Sequence, residues 1–84
     1  MDMPIEARIR DILNQHGRLG SDAHVLDAEA DLYRAGLSSH ASVNVMLALE
    51  DAFDVEFPER LLKKATFGSL GAIVEAVDEI RVDA

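Results

Sequence analysis

The sequence predicts an all-α fold: a small four-helix bundle, three longer helices and one short helix, with a long first loop. Three observations predict it. Apolar residues recur at helical spacing in three separate stretches, and Pro4, Gly17, Gly20 and Pro58 fall at the edges of patterned segments. Residues 17–37, between the first two stretches, carry no periodicity at all.

The first helix is expected from Pro4 to about Gln15. Proline suits the first helical position because its missing N–H would have no partner there. Ile5, Ile9, Ile12, Leu13 and His16 make one apolar stripe, and Gly17 and Gly20 end it. The connection to Leu37 has only scattered apolar anchors: Leu19, Val25, Leu26, Leu32, Tyr33 and Leu37. A loop this long in a compact domain is usually functional or pinned by its own side chains. Within it, residues 27–31 have room for one helical turn at most.

The second helix is expected from Ser39 to Phe53. Ser42, Val45, Met46, Leu49 and Phe53 share the face that reads as its core side. His40, Val43 and Leu47 form a second, weaker apolar stripe, and no charged residue occurs from Ser39 to Leu49. A surface helix normally sets charges opposite its core face, so this one is either buried on both sides or meets a partner. In so short a chain the partner is favoured. Pro58 then starts a short helix, Glu59 to about Lys64, anchored by Leu61 and Leu62. The last helix is expected from an N-cap at Thr66 to about Arg81, with Phe67, Leu70, Ile73, Val74, Val77 and Ile80 as its stripe.

The chain of 84 residues has room for one domain, 1–84, without repeats or low-complexity tracts. A chain of this size buries about 60–65% of its surface, too little to enclose a sizeable substrate cleft, which disfavours an enzyme. Sixteen acidic residues against eight basic ones give a net charge of −8. A nucleic-acid backbone would be repelled, and the implied partners carry basic patches. With no cysteine, the chain has neither a disulfide framework nor a thiol of its own. No stretch reads as a signal peptide or a membrane span, so the expected address is the cytoplasm.

Ser39 stands where the irregular loop gives way to the second helix. A helix N-terminus gathers unpaired N–H groups and the positive pole of the dipole, and favours an attached phosphate. Either Ser38 or Ser39 could equally serve as a plain N-cap. His40 is badly placed as a base for Ser39, because neighbours at i and i+1 do not face each other on a helix, and no acidic third member is in sight. Asp27, Glu29 and Asp31 have the spacing of calcium-loop ligands, but Leu32 replaces the required glycine and Ser38 the bidentate acid. His16, His24 and His40 are too scattered for zinc, so no metal is expected. The acids Glu50, Asp51, Asp54, Glu56 and Glu59 read either as a docking patch or as a solvated face. Arg60, Lys63 and Lys64 read as a solvated face of the short helix.

The stretch from Asp31 to Ser39, with Leu47-Ala48-Leu49-Glu50 and then Asp54-Val55-Glu56-Phe57-Pro58, resembles the acyl carrier protein family. The resemblance covers nearly the whole chain in helix order and spacing. It implies an acyl-carrier-protein-like bundle in which Ser39 carries a covalent 4′-phosphopantetheine. The family's usual Asp-Ser-Leu is Ser38-Ser39-His40 here, and positions that are acidic early in the family's second helix are Ser38, Ala41 and Asn44. Recognition is therefore expected to rest more on shape and apolar contact than on charge. The expected partner face comprises Leu37, Ser38, His40, Val43, Asn44, Leu47, Glu50 and Asp51.

The run from Glu29 to Val43, with Met46-Leu47 and Glu56-Phe57-Pro58, is similar to small bacterial aminoacyl carrier proteins. That similarity implies a thioester shuttle for an amino acid, not a catalyst. Its implied partners are a phosphopantetheinyl transferase, a seryl-tRNA-synthetase-like amino acid:carrier protein ligase and a downstream acceptor enzyme. A monomer is expected. The alternatives are a carrier for fatty-acid, polyketide or nonribosomal-peptide synthesis, and an unmodified protein–protein adaptor using the uncharged helix face.

Overall fold

The computed structural model describes residues 5–83, with side chains to Arg81. Three α-helices, α1 (Ile5–His16), α2 (Ser39–Phe53) and α3 (Leu70–Asp83), are joined by two long connections that contain only 3₁₀ turns. Among the described residues there is no strand. The expected all-α class holds, but the short helix from Glu59 to Lys64 does not form. In its place stand two 3₁₀ turns, Glu59–Leu61 and Lys64–Phe67. Pro58 at the first N-cap has no side chain that can cap, and Leu62 leaves helical geometry at ψ 67°, so i→i+3 bonds are all the segment sustains.

Burial of one stripe per helix makes the core. Ile9, Ile12 and Leu13 of α1 meet Ala41, Val45 and Leu49 of α2, and Ile73, Ala76, Val77 and Ile80 of α3. Two stripe assignments need correction. His16 is exposed at the end of α1, and on α2 the buried position is Ala41, with Ser42 only half-buried. The small side chain of Ala41 allows close packing there, and Ser42 is turned toward the opposite connection. The expected start at Pro4 lies outside the described residues.

Gly17 closes the last turn of α1, and Arg18 leaves the helix at φ 55°. A Cβ at Gly17 would come within 2.6 Å of Leu13 O, which accepts the Gly17 N–H. The first connection then lies back along α1. Asn14 Nδ2 donates to Asp22 Oδ1 over 2.8 Å, and Asn14 Oδ1 accepts the Ala23 N–H over 2.7 Å. Arg10 donates to both Ala23 O and Leu26 O at 2.5 and 2.7 Å. His24 Nε2 lies 2.6 Å from Asp11 Oδ1. These bonds bury Ala23 and leave Val25, an expected anchor, 77% exposed. Near the end of the connection Gly36 takes φ 119°, which glycine alone adopts without strain, and lets Leu37 N–H reach Leu32 O.

The second connection is anchored by aromatic rings. Phe57 and Phe67 are buried with centroids 5.6 Å apart, and Leu61 packs against the core while Leu62 remains half-exposed. Thr66 is not the N-cap of the last helix. It is buried in the second 3₁₀ turn, and Ser69 Oγ accepts the Ala72 N–H at the start of α3 instead. The first connection meets the second through the backbone bond from Leu32 N–H to Gly68 O, and meets the start of α3 through that from Gly71 N–H to Ala28 O. At the far end of the bundle the Phe53 ring lies between the Arg8 and Arg81 guanidinium groups, at 4.4 and 5.6 Å.

Candidate functional site

The two adjacent serines at the start of α2 have different jobs. Ser38 has extended backbone (φ −90°, ψ 164°), and its Oγ accepts the Ala41 N–H over 3.0 Å. It is the N-cap. Ser39 is the first helical residue. It is exposed, and its hydroxyl has no hydrogen-bond partner among the described residues. No acidic residue occupies the first turn of α2, so the positive pole of the helix is not neutralised by its own side chains.

Beside Ser39 a groove of about 370 Å³ runs between α2 and the second connection. Ser42, Val43 and Met46 line it on the α2 side, and Leu62, Lys63 and Lys64 on the other. Phe67 and Tyr33 also line it. The Tyr33 hydroxyl donates to Lys64 O over 3.0 Å, and Ser42 Oγ donates to Ser39 O over 2.7 Å. Burial pushes the Tyr33 phenol pKa up. The neighbouring Ser42 hydroxyl offsets part of that rise, and the Asp31 carboxylate adds to it.

The expected partner face divides. His40, Val43, Asn44, Leu47 and Asp51 are exposed on α2, with Val43 and Leu47 each about half accessible. Two expected members are turned inward. Leu37 is 3% exposed, because the Gly36 turn drives its side chain into the core. Glu50 is half-buried, and its Oε2 accepts the Phe57 N–H over 2.8 Å, so this carboxylate secures the second connection.

The groove residues Tyr33, Leu62, Lys63 and Lys64 stood outside the expected site. Tyr33 and Leu62 had been expected as apolar anchors and Lys63 and Lys64 as a solvated face, so no local signal marked them as groove residues. Among the described residues no cluster of three or more His, Cys, Asp or Glu side chains could hold a metal. No described helix is long and apolar enough to cross a membrane.

Residues 7–77 match the family model described as a phosphopantetheine attachment site. The sequence is 49% identical over 73 residues to an aminoacyl carrier protein of Agrobacterium fabrum, covering 87% of this chain and 88% of that protein. The structure is similar to a chain in the crystal structure of an engineered Bradyrhizobium japonicum glycine:[carrier protein] ligase complexed with a carrier protein from Agrobacterium tumefaciens and AMP. That match has TM-score 0.85 and 49% identity, and covers 88% of this chain and 99% of the other. It is also similar to the solution structure of a holo acyl carrier protein from Nitrosomonas europaea, with TM-score 0.81, 31% identity, and coverage of 98% and 100%. The chain thus belongs to the phosphopantetheine-attachment family of carrier proteins.

Proposed function

We propose that this chain is an aminoacyl carrier protein whose 4′-phosphopantetheine is attached at Ser39. The observation that carries the reading is the division of labour at the α2 N-terminus. Ser38 satisfies the helix N–H, and the adjacent Ser39 hydroxyl stands exposed beside the groove with no hydrogen-bond partner among the described residues. A phosphodiester at Ser39 would sit at the positive end of a helix with no competing carboxylate in its first turn. When bound, the arm supplies the thiol that the cysteine-free chain lacks, and the amino acid is carried on it as a thioester.

The protein's own part is to anchor and present. His40, Val43, Asn44, Leu47 and Asp51 offer a docking face on α2, with Leu62 across the groove. Apolar contact through Val43 and Leu47 supplies its affinity, since this stretch of α2 carries no charge before Glu50. The partner proposed for this face is an amino acid:carrier protein ligase of the seryl-tRNA-synthetase-like kind. The related Agrobacterium carrier, crystallised with a glycine:[carrier protein] ligase, supports that choice. A phosphopantetheinyl transferase acts before the ligase and an acceptor enzyme after it. The carrier works as a monomer, and in the cytoplasm, where thiols stay reduced.

The test is intact mass after incubation with coenzyme A and a broad-specificity phosphopantetheinyl transferase. Wild type and Ser38→Ala gain one phosphopantetheine, and Ser39→Ala gains none. Arm uptake by Ser39→Ala, or none by wild type with its own organism's transferase, would sink the assignment. Incubation of the holo-protein with ligase, ATP and glycine then reads out the cargo by a second mass increment.

A further inference from the structure

One side chain crosses the groove beside Ser39. Tyr33 comes from the first connection and touches both walls: its hydroxyl donates to Lys64 O over 3.0 Å, and the Ser42 hydroxyl of α2 lies alongside it. Lys64 Nζ lies 4.9 Å from the ring centroid, a further tie to the same wall. Ser42 is about one turn beyond Ser39, and Met46 about one turn beyond Ser42. Tyr33, Met46 and the buried Phe67 line the same groove as Ser39.

We propose that Tyr33 is a specificity-determining crossbar that holds a tethered acyl group on the solvent side of the groove, favouring small polar cargo over long apolar chains. The inference rests on attachment of the arm at Ser39. Each methylene of an apolar chain would gain by leaving water for the surface around Met46 and Phe67. To reach it, the chain must displace a half-buried ring and break its hydrogen bond to Lys64 O. The desolvation that raises the Tyr33 phenol pKa is consistent with a ring packed closely on its neighbours. An aminoacyl group has a further reason to stay outside. Its ammonium would approach Lys63 and Lys64, which line the same groove, and like charges repel.

The experiment compares wild type, Tyr33→Phe and Tyr33→Ala. Each is loaded with an acetyl or an octanoyl arm from the corresponding coenzyme A thioester by a phosphopantetheinyl transferase, and each load is checked by intact mass. The readouts are the rate of thioester cleavage by hydroxylamine and the thermal midpoint. In wild type the acetyl and octanoyl forms are cleaved within about twofold of each other and melt together. In Tyr33→Ala the octanoyl form is cleaved at least about fivefold more slowly than the acetyl form and melts higher, because the chain has found cover. Tyr33→Phe keeps the ring but loses the bond, and falls between.

Octanoyl protection in wild type equal to that in Tyr33→Ala overturns the crossbar, as does its absence from both. Should circular dichroism show Tyr33→Ala unfolded, equal octanoyl protection in wild type and Tyr33→Phe overturns it. A wild-type chain that takes no arm overturns the Ser39 assignment and this inference with it, whereas a loaded and protected wild type overturns the crossbar alone.

Discussion

The two connections that flank α2 are held by different physics. Residues 17–26 lie on α1 through polar bonds made by Arg10, Asn14 and Asp22, while Leu32 and Leu37 anchor the later part of that connection in the core. Residues 54–69 are held mainly by Phe57 and Phe67, with one carboxylate contact from Glu50. Apolar burial is proportional to area and indifferent to pH, whereas a polar clasp depends on the direction and protonation of single atoms. Tyr33 joins the two by bonding Lys64 O from the first connection. The groove beside Ser39 therefore depends on both kinds of anchoring.

The comparison breaks most visibly at Phe57. Phe57→Ala should cost about 3–5 kcal/mol, a large share of a small domain's stability, in urea or thermal unfolding. A cost near that of a surface substitution would mean that the second connection does not rely on its rings. Asn14→Ala on the polar side should cost less, about 1–3 kcal/mol, since it leaves the Ala23 N–H without a partner. Amide hydrogen exchange should locate that loss at residues 22–26. Uniform loss of protection would show that the clasp serves the whole fold.

Ser38→Ala, at the junction of the first connection with α2, should cost about 1 kcal/mol, and Ser38→Gly only a few tenths. Equal costs for the two variants would point away from capping by the hydroxyl. The smallest effect is on pH dependence. Hydrogen bonds from Asn14 and from the His24 N–H hold the Asp22 carboxyl below its ordinary value of 3.8. A depressed folded-state pKa contributes stability above the unfolded-state value, and the contribution is lost as pH falls through the folded one. The difference in thermal midpoint between wild type and Asp22→Asn should thus be constant near neutrality and shrink below pH 3.8. A difference that does not change with pH would remove Asp22 from the acid response.

The three α-helices were legible because each carries a stripe at helical spacing, and a stripe fixes both the element and its buried face. The exposure of Val43 and Leu47 was equally legible, from the missing charge opposite the core side of α2. The short helix was not, because proline and a few apolar residues specify an α turn and a 3₁₀ turn equally well. Nor could local pattern tell that Ser38 caps and Ser39 does not. Both residue types cap well, and backbone direction alone chose between them.

By itself the sequence determined the helical class, the place of α2 at the end of a long loop and the lack of a thiol, because composition and periodicity are local properties of the chain; Ser39 became the residue to test through the resemblance carried by residues 31–58. Tertiary structure decided that Leu37 and Glu50 turn inward, that Leu62, Lys63 and Lys64 face Ser39 across a groove, and that Tyr33 spans it. The groove and the Tyr33–Lys64 bond depend on contacts between residues far apart in the chain, and such contacts have no signature in any single window of sequence.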